Sequence, residues 1–169
     1  VKFRTRPIGV VEQPVPSAKA QSVWGVPEIR DLLAQLGAKG EARPGPDTVC
    51  FVVPVGKDAT TTALELGLDP ARTVAVDPLF GFSKRRTLMA TPATSREVRD
   101  AAHGLLAADG VPVSVIRDSP GFVAQRVVAH IVNVGCDIAQ QRIATPEDLD
   151  RAVMLGLGYP KGPLAMGDA

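Results

Sequence analysis

The apolar positions of this chain change period several times, and each change marks an element. Ile29, Leu32, Leu33 and Leu36 recur at three- and four-residue spacing, which predicts an amphipathic helix over residues 27–36 with Gly37 and Gly40 as its stops. Residues 49–53 are continuously apolar and read as a buried strand. A short helix is expected over 58–66, a second buried strand over 73–76 and a third over 86–90. Thr94, Ser95, Arg96 and Glu97 form a capping box ahead of Val98, Ala101, Ala102, Leu105 and Leu106, with Gly110 closing that helix. Residues 113–116 supply the last strand. Strands alternating with helices imply an α/β fold, a doubly wound parallel sheet of about four strands. Ahead of it, Pro7, Pro14 and Pro16 forbid a regular helix, so residues 1–22 read as a linker or arm.

The last third changes character. In DSPGFVAQR, residues 118–126, a cap residue and a first-turn proline predict a helix opening at Pro120 and running to about Arg142. Arg126, His130, Asn133, Asp137 and Gln140 fall on one narrow polar stripe. The rest of the circumference is apolar, which places this helix inside a domain or at a subunit contact. Gln125 sits off the stripe among apolar neighbours, and a buried amide needs partners. Thr145 and Pro146 then read as the cap and first turn of another helix, whose end is set by the glycines between Gly156 and Gly162. The organisation expected is an arm over 1–22, a sheet domain over 23–117 and a helical segment over 118–169.

Composition narrows the partners. The chain has 169 residues, 45% of them apolar, and a formal net charge of +1. So near neutrality there is no electrostatic footprint for nucleic acid or an anionic membrane. The apolar run over 127–138 is interrupted by His130, Asn133 and Asp137, so no membrane span is expected. Cys50 and Cys136 both lie in apolar runs, where thiols behave as small hydrophobes; no disulfide and no metal site is expected. The cluster Lys84, Arg85 and Arg86 is either a solvated loop or a contact to the phosphates of a coenzyme A tail. The compartment expected is the cytoplasm.

The segments DSPGFVAQR and ATPEDLDRAVMLGLGYPKGP (144–163) resemble the 3-hydroxyacyl-CoA dehydrogenases of fatty-acid and aromatic-acid breakdown. The C-terminal helical domain of that family, of the 6-phosphogluconate dehydrogenase kind, opens with Asp-x-Pro-Gly-Phe-x-x-Asn-Arg and later carries Gly-x-Gly-Tyr-Pro-x-Gly-Pro. The resemblance is strong over 113–169. It is looser over 76–98, which looks like an eroded end of the family's nucleotide-binding domain, as in the degenerate second copy of some long bacterial members. It implies a parent enzyme that oxidises 3-hydroxyacyl-CoA with NAD, and a chain that begins and ends inside something longer.

The resemblance also carries departures. A dinucleotide site needs a glycine-rich turn between a strand and a helix. Val55, Gly56 and Lys57 offer a single glycine, and the stretch 37–45 does not open a helix. The family's catalytic histidine and glutamate would fall near Ala75 and Thr87, neither of which can act as a base. His103 is read as a surface residue of its helix and His130 as part of the polar stripe. Gln125 stands where the family has an asparagine that holds the reacting oxygen. No catalytic residue and no bound cofactor are therefore expected in this chain. Gln125, Arg126, Tyr159, Pro160, Gly162 and Pro163 are its candidate substrate or interface residues. The expected role is homodimerisation and support of the acyl-CoA cleft; the alternative is a purely structural interaction module with no ligand. A dehydrogenase of the ketopantoate or hydroxyisobutyrate kind would require a catalytic lysine, and the long helix has none.

Overall fold

The computed structural model describes residues 13–20 and 22–168. Its contacts divide into two compact units, Val1–Pro120 and Gly121–Ala169. The first unit is built on β1 (Ser22–Gly25), β2 (Lys39–Gly40), β3 (Val49–Val52), β4 (Thr73–Val76), β5 (Arg86–Ala90) and β6 (Val113–Arg117), with helices α1 (Pro27–Gln35), α2 (Ala59–Glu65) and α3 (Arg96–Leu106). The sheet order is β2-β1-β3-β4-β5-β6. It therefore has six strands rather than about four. β2 escapes a periodicity reading because it is only two residues long, and β1 because Ser22 and Gly25 at its ends break the continuous apolar run that marks β3.

All neighbours pair in parallel except β4 and β5, which are antiparallel. The physical reason is the connection. Only residues 77–85 link β4 to β5, with no helix among them, and a parallel crossover requires a dozen residues or more. The strands alternate faces. Val23, Phe51, Val74, Val76, Leu88 and Val113 form one cluster with Ile29 and Leu33 of α1 and with Val98, Ala102, Leu105 and Leu106 of α3. Gly25 lets α1 sit close, since a Cβ there would lie 2.8 Å from Leu33. The arm ends against α3: Ala20 donates its amide to the Ala101 carbonyl at 3.0 Å, and a Cβ on Gly104 would collide with the Ala18 carbonyl oxygen.

The second unit holds α4 (Ala124–Gln140), α5 (Pro146–Leu157) and α6 (Pro163–Gly167). α4 begins four residues later than Pro120, because Gly121 and Phe122 adopt left-handed conformations at φ +76° and +47° that a helix cannot include. It ends near the expected place, with Arg142 at φ +56°. α5 has the Thr145 cap, whose Oγ1 accepts from the Asp148 amide, and Gly158 closes it at φ +71°. α4 buries less than its composition suggests. Gln125 and Gly135 are its buried residues, whereas Val127, Val134 and Cys136 are exposed. No described helix is long and apolar enough to cross a membrane.

Candidate functional site

In a doubly wound sheet the ligand site forms where strand carboxyl ends meet helix N-termini, at the point where the strand order reverses. Here that point lies between β1 and β3. The turn after β1 is a single residue, Val26, followed at once by Pro27 as the first residue of α1. Proline removes one amide from the helix end, and Arg30 Nε already donates to the Gly25 carbonyl at 2.8 Å. The start of α2 is also engaged. Asp118 accepts the Ala59 amide at 2.8 Å and the Thr60 amide at 3.2 Å, and the Thr60 hydroxyl donates to it as well. Asp58 caps the same helix by accepting from the Thr61 amide, and that hydrogen bond holds its carboxyl below the usual carboxylate range. Two carboxylates of the chain thus fill the positions an anionic ligand would take. Asp118 looked like the cap of the long helix; its partners lie some 59 residues upstream in sequence, which no local pattern reports.

Ala75 is fully buried in β4 opposite Met89, and Thr87 lies in β5. The residue that follows the end of β4 is Asp77, buried, with Oδ1 accepting the Leu79 amide at 3.1 Å and its own amide donating to the Thr87 carbonyl at 3.1 Å. It is the titratable group at that strand end, and the sequence reading passed over it. The basic cluster also resolves differently from either expectation for its last member. Arg86 is buried in β5, donates to the Phe82 and Leu106 carbonyls, and forms a two-pronged pair with Asp109 at 2.7 Å, which lowers the Asp109 pKa. Arg85 donates to the Ser114 hydroxyl at 2.8 Å.

His103 is not a surface residue: it is 4% exposed, and burial lowers its pKa. His130 is exposed, as the polar stripe predicted. Of the expected substrate or interface residues, Gln125 is buried and Arg126 exposed at the start of α4. Tyr159 and Pro163 meet His130 in an apolar groove of about 280 Å³ lined also by Val134, Leu149 and Leu157. Gly162 and Pro163 serve packing. A Cβ on Gly162 would overlap Asp150, whose carboxylate accepts the Leu164 and Ala165 amides at 2.9 and 3.0 Å and so caps α6. Pro163 lies against Gly135 of α4, 2.7 Å from where a Cβ would stand. Pro160 is exposed. Gln125 and Arg126 do not line that groove, so the six residues do not form one site. Among the described residues no three metal-ligating side chains cluster.

With this geometry in view, residues 121–169 match the 3-hydroxyacyl-CoA dehydrogenase C-terminal domain. The chain is 30% identical to the 3-hydroxyadipyl-CoA dehydrogenase of Escherichia coli over 152 residues, 89% of this chain and 31% of that protein. It is 43% identical to the 3-hydroxybutyryl-CoA dehydrogenase of Clostridioides difficile over 58 residues, 34% of this chain and 20% of that one. The crystal structure of 3-hydroxybutyryl-CoA dehydrogenase from E. coli superposes with a TM-score of 0.58 at 32% identity, covering 70% of this chain and 24% of that one. The fold alone is shared with FadB2 of Mycobacterium tuberculosis, at a TM-score of 0.67 and 22% identity over 88% of this chain and 53% of that one. The chain spans less than a third of the length of the two curated relatives. The chain belongs to the 3-hydroxyacyl-CoA dehydrogenase family, with a Rossmann-like sheet followed by residues that match the family's C-terminal domain.

Proposed function

We propose that this chain is a non-catalytic portion of an NAD-dependent 3-hydroxyacyl-CoA dehydrogenase of the cytoplasm, and that it contributes dimerisation and a wall of the acyl-CoA cleft rather than the reaction. The observation that carries this reading is the occupancy of the strand-to-helix turns. α1 starts on a proline one residue after β1, and the first amides of α2 are bonded to Asp118. A pyrophosphate would have to displace an internal carboxylate and find amides that a proline does not offer. These residues do not fit NAD, and no step of hydride transfer is assigned to them.

Dimerisation rests on a separate feature. α4 and α5 expose Val127, Val134, Met154, Leu155 and Leu157, with Leu155 81% accessible. Apolar side chains grouped in this way mark a contact surface. Sedimentation equilibrium at low micromolar concentration is expected to give a dimer, and Val134→Glu with Leu155→Glu a folded monomer. A monomeric parent chain contradicts the proposal.

A further inference from the structure

A concavity of the sheet unit, about 960 Å³, lies away from the strand-order reversal, between α3, the arm and the carboxyl ends of β5 and β6. The arm forms its outer wall. Gln13 is fixed to the edge strand by donating to the Val115 carbonyl at 3.4 Å and accepting the Val115 amide at 2.7 Å. Pro14, Val15 and Pro16 of the arm and Val115 and Ile116 of β6 line it, so much of its wall is apolar.

One end is cationic. Arg96 and Arg99 from the first turn of α3 and Arg117 from the end of β6 line it, against Asp100 and Asp118, which leaves three positive charges to two negative. Asp118 is committed to the start of α2. Asp100 is shared between Arg96 at 3.5 Å and Arg99 at 2.9 Å, and Arg117 has no ion pair among the described residues. The positive end of the α3 dipole adds to the same field.

His103 lines the groove two turns further along α3, roughly 10 Å from Arg96 at 1.5 Å per residue. It is more than nine-tenths buried, and its Nε2 has no hydrogen-bond partner among the described residues. The ring of His103 therefore adds a largely buried aromatic surface to the inner wall of the groove. Arginine forks suit a carboxylate or phosphate, and the apolar walls suit a short hydrocarbon body.

We propose that this groove binds a small amphiphilic organic anion, its carboxylate or phosphate held by Arg96, Arg99 and Arg117 and its apolar body against the arm and the His103 ring.

The test is NMR titration of the whole chain with hexanoate, 6-hydroxyhexanoate, hexyl phosphate and, as the charge control, hexylammonium. One or more of the anions is expected to shift the His103 ring signals and α3 amides in a saturable way, with hexylammonium without effect. Arg99→Gln combined with Arg117→Gln changes two accessible side chains and leaves the fold intact; it is expected to weaken binding about tenfold or more. Binding of hexanoate or of hexyl phosphate alone identifies the head group and supports the site. Absence of saturable shifts at His103 with every anion, equal response to hexylammonium, or binding unchanged by the arginine substitutions overturns it.

Discussion

Arg86 illustrates what a single residue's chemistry hides in a sequence. Within Lys84, Arg85 and Arg86 it looks like part of a solvated basic loop, yet its side chain is 3% exposed and it ties two carbonyls and Asp109 together. Its neighbours in sequence say nothing of this, because Leu106 and Asp109 come from the far end of α3 and beyond. Arg86→Leu leaves those carbonyls without their donor and is expected to cost about 2–4 kcal/mol in urea unfolding. The Arg86 hydrogen bonds also hold the Asp109 pKa below its ordinary value. That contribution is present above the unfolded carboxylate pKa and is lost as pH falls through the folded value, so the acid limb of the stability profile should flatten in Arg86→Leu. An identical acid limb would contradict the pairing. Cys50 behaves oppositely. Burial, with Asp69 adding and Arg72 opposing, pushes its thiol up to about 11 from 9.0. Keeping it neutral favours the fold fully below the unfolded value, and this contribution is lost as pH rises from there through about 11. In a thiol titration of the native chain near neutral pH, Cys136 should react promptly and Cys50 only on unfolding; equal reactivity of both would refute the assigned burial.

At the scale of elements, the strong signals were the capped helices and the continuous apolar strands. Thr145 caps where its pattern placed it, and α3 is capped by Ser95, one residue after the Thr94 that the capping box implied; each accepts the amide three residues on. What escaped was set by tertiary structure. β1 and β2 exist because parallel neighbours complete them, and the reversal of β5 follows from a link too short to cross over. The delayed start of α4 reflects the left-handed Phe122, a conformation no sequence rule assigns to phenylalanine. The crossing of α4 and α6 depends on Gly135, where a Cβ would stand 2.7 Å from Pro163. Gly135→Ala should force the two helices apart and lower stability by about 1–3 kcal/mol despite alanine's better helix propensity. A stabilised Gly135→Ala protein would show that this contact is looser than described.

For the molecule as a whole, resemblance over 113–169 pointed to the family, while the candidate site was only partly legible. The lack of a glycine-rich turn could be read directly; that Asp118 and Pro27 take up the helix ends could not, since one depends on a contact across the fold and the other on where β1 stops. Asp77 was missed because the resemblance placed the dyad near Ala75 and Thr87, although the strand expected over 73–76 ends one residue before it. The function proposed above requires that this chain bind no nicotinamide cofactor of its own. Calorimetric titration of the purified chain with NADH, and separately with acetoacetyl-CoA, tests it most directly. No heat with NADH is the predicted result, with any response confined to the CoA ester; saturable NADH binding near micromolar concentration would contradict the account.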